Sequence, residues 1–268
     1  MAEADGRSGG ADSGRFSRQQ RAHLAALLTL VVLLGAAPAR AQSDIDFDPA
    51  ITQAEFRQFS MLVAQGIFAS PVHPAGASGL LRFDIGIAAT VVEIDTTAPY
   101  WQKAVGSDFS VSDKYVGVPR LVVTKGLGAA NVSGSYAKLS DTGIEVWGGS
   151  LDIPIIRGGA LTPTLALRGS YSTLRGVDVY QLNTYGAEIF LSKGFGPVTP
   201  YGAVGKMRSD AKGTIPATSV TPEILLTDKS DSNRYTLGVR ISLIFPKLVV
   251  EATQAEERSY SAKVSVGF

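Results

Sequence analysis

The chain has 268 residues, no cysteine and a formal net charge of +1. The near-neutral charge gives no reason to expect nucleic acid as a partner, and the lack of cysteine excludes a disulfide scaffold. The length allows one sizeable domain or two small ones.

Residues 1–41 have the layout of a secretory signal peptide. Three arginines precede an apolar core over residues 24–34, and Ala-Arg-Ala at 39–41 is a small-x-small cleavage site. The core is too short to span a membrane as a helix. We therefore expect an exported protein that begins at Gln42. Its formal net charge is −1, because residues 1–41 contain five basic and three acidic residues.

A helix is predicted over about residues 49–67, within an N-terminal segment, 42–78, that we predict to be periplasmic. Asp48 fits the N-cap and Pro49 the first helical position. Apolar residues then recur at helical spacing, so the helix is amphipathic.

From Leu81 the hydrophobic period changes to 2, which is typical of strands with one apolar and one polar face. The alternation predicts about ten strands within residues 79–268. Their approximate ranges are 82–91, 118–125, 130–138, 144–155, 164–173, 180–192, 199–208, 234–243, 248–254 and 259–268. The two longest polar stretches, 95–117 and 209–232, are predicted to be loops.

The final stretch, SYSAKVSVGF, has an apolar row on one face and ends on an aromatic residue. It resembles the closing strand, or assembly signal, of Gram-negative outer-membrane β-barrels, carried here by Tyr260, Val264, Val266 and Phe268. The strand-turn-strand run over residues 192–202 also resembles uncharacterised proteobacterial, porin-like barrels. The resemblance implies an outer-membrane location, with membrane lipid and the barrel-assembly machinery as partners. The edge strand of a soluble sandwich has the same period and is the alternative.

The connections favour the barrel. Bacterial barrels have an even strand number, short periplasmic turns and longer outer loops, and both long stretches fall on the outer side here. The predicted fold class is therefore all-β: a closed antiparallel transmembrane β-barrel of about ten strands, with 8 or 12 as alternatives. Tyrosines near strand ends suit interfacial girdles; they are Tyr136, Tyr171, Tyr185, Tyr201, Tyr235 and Tyr260. The N-terminal helix could lie at the periplasmic rim, dock on a partner, plug the lumen or merely cover the end of the barrel. Covering the end is favoured.

The polar strand faces predict a charged lumen. The predicted lumen-lining charges are Arg82, Asp84, Arg120, Arg168, Glu188, Lys206, Arg208, Arg240, Glu251 and Lys263. Since rings of charge select ions by sign, this excess of cations predicts an anion-preferring lumen with small anionic solutes as partners. The alternative is that the charges cross-link a closed interior, which we favour because ten strands enclose little space.

An enzyme is the less favoured interpretation. Outer-membrane proteases resemble this chain in strand number and use aspartate and histidine, but the one histidine after residue 41, His73, precedes the first strand. We expect no catalytic role for it, and no metal or cofactor, because zinc-type spacings and phosphate-binding glycine loops are missing from the sequence. The function expected is non-enzymatic: porin-like passage of small solutes, or a structural or surface-binding barrel. The alternative is a barrel hydrolase using carboxylates such as Asp84 and Glu188, or hydroxyl groups.

Overall fold

The structure is a computed structural model that describes residues 45–76, 79–105, 114–139, 143–159, 161–217, 222–243 and 245–267. The signal peptide predicted for residues 1–41 lies outside these ranges, as does Phe268. The described elements are α1 (Gln53–Ile67), β1 (Phe83–Glu93), α2 (Pro99–Val105), β2 (Tyr115–Gly126), β3 (Asn131–Lys138), β4 (Glu145–Ile156), β5 (Thr164–Arg175), β6 (Tyr180–Ser192), β7 (Val198–Ile215), β8 (Ile224–Ser242), β9 (Lys247–Gln254) and β10 (Arg258–Gly267).

The ten described strands form a closed antiparallel barrel. Each strand pairs with its neighbours in sequence, and β1 pairs with β10 to close the sheet. The predicted fold class is therefore confirmed. Side chains alternate between the lumen and the outside, as the pleat of a strand requires.

The connections divide the barrel into two ends. At the turn end lie the described parts of four connections, which are residues 127–130, 157–159 and 161–163, 193–197, and 243 and 245–246; β1 begins and β10 finishes at the same end. At the loop end lie the described parts of five connections, which are residues 94–105 and 114, 139 and 143–144, 176–179, 216–217 and 222–223, and 255–257. The longest connection lies at the loop end and contains α2.

Strands β7 and β8 are much longer than predicted. Residues 209–215 and 224–232, which belong to a stretch predicted to be a loop, instead continue the hairpin with pairs such as Ser209–Ser230 and Thr214–Leu225. Apart from Leu225, their outward side chains, including Lys212 and Lys229, are polar, which made this part of the chain resemble a loop in sequence. Their inward side chains are mostly small or apolar, and Ala211, Ile215 and Leu226 belong to the buried cluster that contains the apolar face of α1.

Helix α1 begins later than predicted. Asp48 accepts a hydrogen bond from the Ala50 amide and belongs to a turn, so it is not the N-cap. The N-cap is Thr52, which forms a capping box with Glu55. In this motif each side chain accepts from the backbone amide of the other residue, which satisfies donors that an isolated helix end leaves unpaired.

Helix α1 lies inside the barrel, so the prediction that it covers one end is wrong. Its aromatic side chains belong to a buried cluster with inward-facing residues from the loop-end halves of eight strands, β1 to β8, and with α2. Phe56 and Phe59 pack edge-on or tilted against Tyr180, at the loop end of β6. The helix is amphipathic as predicted, but its apolar face packs against the inner wall of the barrel.

A salt bridge at the loop end joins α1 to α2 and makes stability depend on pH. Lys103 Nζ lies 2.8 and 2.9 Å from the two Glu55 carboxylate oxygens. Together with the capping contacts from Thr52, this lowers the pKa of Glu55 from 4.5 to about 2. A carboxyl group with a lowered pKa stabilises the fold above its unfolded pKa and loses that contribution as pH falls towards its folded pKa.

We therefore expect wild type to exceed Glu55→Gln in stability above pH 4.5, with the difference disappearing as pH falls to about 2. Denaturant unfolding across this pH range measures the difference. In a Lys103→Gln background the difference should be smaller, because the main contact is missing. A difference that does not change with pH would contradict this account.

Candidate functional site

The lumen contains a continuous piece of the chain, residues 45–76, which we call the plug. Its first part, α1, occupies the loop-end half of the barrel. The Gln53 side chain donates to the Thr227 carbonyl at 2.7 Å, and the Gln65 side chain donates to the Glu257 carbonyl at 2.7 Å. Both acceptors belong to the loop end of the wall, so polar contacts as well as apolar packing fix the helix there.

The second part, residues 68–76, follows the lumen towards the turn end without regular structure. Two prolines, at 71 and 74, disfavour helix in the residues before them and keep the chain open. Val72 has φ 49°, an unusual conformation for a β-branched residue. Such a conformation costs roughly 1–3 kcal/mol and persists where surrounding contacts determine it. We call residues 68–76 the extended segment.

Wall side chains donate hydrogen bonds to the backbone carbonyls of the extended segment. Arg120 reaches the Phe68 carbonyl at 2.6 Å, and Lys263 reaches the Pro71 carbonyl at 2.9 Å. Further along, Arg168 donates to the His73 carbonyl at 3.1 Å and Ser192 to the Ala75 carbonyl at 2.6 Å. These four contacts come from separate strands, so the wall surrounds the segment.

A buried ion-pair cluster holds the middle of the extended segment. The Arg168 guanidinium makes two hydrogen bonds to Asp152, of 2.6 and 3.0 Å, and its charge lies 3.9 Å from the centre of the Phe190 ring. Nε2 of His73 lies 3.3 Å from the Asp152 carboxylate, and Nδ1 lies 2.9 Å from the Pro74 carbonyl. His73 is therefore inside the barrel, where its contacts connect the plug to the wall.

A second cluster surrounds Phe68. The Arg234 guanidinium lies 3.8 Å from the centre of the Phe68 ring and its Nε lies 3.4 Å from Glu188. The ring also fills the space beside Gly186, where a Cβ atom would overlap it. A glycine is needed at this point because the plug approaches the wall so closely.

Near the turn end, acidic side chains pair with cations and hydroxyl groups. Asp84 lies 3.4 Å from Lys263 and 3.2 Å from Lys247. Glu251 accepts a 2.5 Å hydrogen bond from the Tyr201 hydroxyl. Buried carboxylates are stable only when paired in this way, so these contacts organise the wall next to the plug.

Most of the predicted lumen-lining charges lie inside the barrel. Buried inward-facing positions are occupied by Asp84, Arg120, Arg168, Glu188, Glu251 and Lys263. Arg240 is partly buried and donates to Thr199 at 3.2 Å. Arg82, just before β1, is also partly buried and lies against Gly76 of the plug.

Lys206 and Arg208 do not line the lumen, which corrects the prediction for β7. Both face outwards, and the Arg208 side chain is 61% exposed. Tyr201, predicted for the outer girdle, instead faces inwards with Ala203 and Met207. The inward and outward faces of β7 are therefore the reverse of those predicted. Its inward side chains pack against apolar parts of the interior, whereas its outward side chains towards the loop end are polar.

Among the described residues, the charged lumen residues that sequence reasoning missed include Asp152, Arg234 and Lys247. Arg234 was identifiable, since it lies in the same alternating row as Arg240. Asp152 likewise alternates with the outward Leu151 and Ile153. For Asp152 and Arg234, the position in the inward-facing row of the strand is thus the sequence signal that could have identified them.

The residues of the proposed assembly signal face outwards where they are described. Tyr260 and Val266 are exposed, and Val264 lies in the same row. Within the described ranges, no helix is long and apolar enough to cross a membrane, and no cluster of side chains suits a metal ion.

No protein-family model matches the chain, and no curated protein matches it. The N-terminal β-barrel domain of Pseudomonas aeruginosa OprF is similar at 13% identity and a TM-score of 0.31, covering 69% of this chain and 97% of that one. Neisserial surface protein A has 12% identity and a TM-score of 0.33, with the same coverage. Ail, the attachment invasion locus protein of Yersinia pestis, has 12% identity and a TM-score of 0.28, covering 69% and 95%.

Proposed function

We propose that this chain is a non-enzymatic outer-membrane β-barrel whose lumen is closed by its own plug. Support for the membrane location comes from the outer surface. Large apolar side chains are exposed on every strand of the barrel, including Ile85, Ile87, Leu121, Val132, Trp147, Leu151, Ile153, Leu167, Tyr171, Tyr185, Ile189, Leu191, Val204, Tyr235, Leu237, Val250, Tyr260 and Val266. Soluble monomers rarely expose such a continuous apolar surface.

Aromatic side chains lie towards the loop-end side of this apolar surface. Tyr136 and Trp147 stand 4.6 Å apart between ring centres, and Tyr171 and Tyr185 stand 5.2 Å apart. Aromatic residues favour the membrane–water interface. Beyond these aromatic residues, the outward side chains of β7 and β8 become polar. This change supports a membrane–water interface at the level of the aromatic residues and a long hairpin that extends from it into water.

A charge placed on the apolar surface tests the membrane location. We expect Ile189→Arg to destabilise the barrel by about 2–4 kcal/mol in lipid vesicles, because arginine near the bilayer midplane is costly. Asn233→Arg, on an outward position beyond the apolar surface, is the matched control and should change stability little. Folding free energies in vesicles measure both. Equal effects of the two changes would contradict a membrane-embedded surface.

The proposal of a closed lumen rests on the hydrogen bonds that wall side chains donate to the plug carbonyls. Four wall side chains donate to carbonyls over eight consecutive residues, from Phe68 to Ala75. Buried donors of this kind cost free energy when they lose their partners. The plug therefore belongs to the folded state, and we propose a structural or surface-binding barrel in place of an open pore.

Passage of small anions is the second candidate function. It is favoured by the excess of luminal cations, and it requires the plug to leave the lumen, because Arg120, Arg168 and Lys263 are bonded to the plug. A barrel hydrolase is not proposed, since Asp84 and Glu188 each pair with cations. The outward row of β10 is proposed to contact the barrel-assembly machinery.

A further inference from the structure

The plug passes through the whole barrel in one direction. Strand β6 runs from the loop end to the turn end, and its inward residues contact the plug in sequence order. Tyr180 packs against Phe56, Gly186 adjoins Phe68, and Ser192 donates to the Ala75 carbonyl. From 180 to 192 a strand extends about 40 Å along its own direction, and with the roughly 40° tilt of barrel strands this gives about 30 Å along the barrel axis, the thickness of a bilayer core. The plug therefore runs parallel to β6 over a membrane-spanning distance.

The chain enters the plug at the loop end. The Asp46 and Asp48 amides donate to the Ala104 and Lys103 carbonyls of α2, at 3.1 and 2.8 Å. Phe47 packs against Tyr180 at the loop end of β6. Residues 45–50 thus lie beside the long connections, whereas Gly76 lies at the opposite end, beside Arg82.

In bacterial outer-membrane barrels the short turns face the periplasm and the longer loops face outwards. We infer that the plug crosses the outer membrane once inside the barrel and places residues 45–50 at the cell surface, so that the lumen serves as a conduit for polypeptide. This inference rests on the proposed membrane function. It reverses the prediction that segment 42–78 is periplasmic.

The chemistry of the lumen suits an extended polypeptide. Every peptide unit offers a carbonyl, so donors that bind carbonyls hold a backbone with little regard to its side chains. The wall supplies such donors at successive depths, from Arg120, Lys263, Arg168 and Ser192. The same interior that seats residues 68–76 is therefore chemically able to hold other extended chain during assembly.

Close contacts indicate that the barrel closes around the plug. A Cβ atom at Gly186 would overlap the Phe68 ring, and one at Gly148 would lie 2.8 Å from the Ala69 Cβ. At Gly213 it would lie 2.6 Å from the Phe56 ring. A wall fitted this closely leaves little space for α1 to slide through the finished barrel. The outward passage of residues 45–50 therefore belongs to assembly.

Single cysteines test the direction of the plug, because the natural chain has none. We choose the full chain with Ala50→Cys in the plug, Glu223→Cys at the loop end and Phe195→Cys at the turn end, all exposed positions. A membrane-impermeant maleimide is applied to intact cells, to broken cells and to denatured protein. We expect Ala50→Cys and Glu223→Cys to react on intact cells, and Phe195→Cys to react after the cells are broken.

The controls separate the two proposals. Reaction of Glu223→Cys but not Ala50→Cys on intact cells would overturn the inference and leave the membrane barrel standing. Protection of Ala50→Cys until denaturation would overturn it equally. Recovery of all three variants in the soluble fraction would overturn the membrane function itself. Reaction of Phe195→Cys alone on intact cells would reverse the orientation and so contradict the inference.

Discussion

Arg168→Met is expected to destabilise the barrel by about 3–5 kcal/mol, the usual effect of removing one partner of a buried ion pair. Arg168 makes two hydrogen bonds to Asp152 and one to the His73 carbonyl, and its side chain is 1% exposed. Without it, the Asp152 carboxylate remains buried beside His73 with its main cation missing. Denaturant unfolding in detergent micelles measures the loss.

Arg208→Met is the matched control for this change. The sequence pattern predicted both arginines for the lumen, but Arg208 faces outwards, and its 3.4 Å ion pair with Asp231 is exposed. Exposed pairs contribute about 0–1 kcal/mol. Adding Asp152→Leu to Arg168→Met should recover part of the loss, because no buried charge is then left unpaired. Similar losses for Arg168→Met and Arg208→Met would contradict the luminal assignment.

Phe68→Ala is expected to cost about 3–5 kcal/mol, as for other large aromatic residues removed from a packed interior. Phe68 is 1% exposed and lies between the Arg234 guanidinium and the wall at Gly186. Its loss leaves a cavity at the junction of α1 and the extended segment. The same unfolding measurement applies.

Phe195→Ala provides the comparison for the aromatic change. Phe195 lies in a connection at the turn end and is 63% exposed, so its truncation should change stability by less than about 0.5 kcal/mol. If Phe68→Ala were equally mild, the plug would contribute little to the folded state. The closed lumen would then lack its energetic basis.

The sequence predicted the barrel because the outer face follows a simple pattern. In strands such as β6 and β10, the outward positions away from the loop end are apolar, so Ile189, Leu191, Tyr260 and Val266 reveal the period directly. The same rule failed on β7, because Tyr201 and Met207 face inwards and pack among apolar residues of the interior, where the Tyr201 hydroxyl also bonds to Glu251. Polarity could not distinguish the two faces of β7, because the polarity of its inward-facing residues depends on what fills the lumen.

The path of the plug could not be predicted from local pattern. An amphipathic helix has the same periodicity whether it covers a barrel or lies within it. Its position depends on pairs far apart in sequence, such as Gln65 with Ser259 at 3.0 Å and Ser192 with Ala75. The charged interior was largely predictable from strand rows, whereas the pairing of Arg234 with Glu188 required the three-dimensional register.

Single-channel recording in a planar lipid bilayer tests the closed lumen most directly. Refolded residues 42–268 would be inserted, and insertion confirmed independently by protease protection of the barrel strands. The account predicts insertion with no conductance steps, because α1 and the extended segment occupy the lumen. Discrete, anion-selective steps from the wild-type chain would contradict it and would make the luminal arginines part of an open pore.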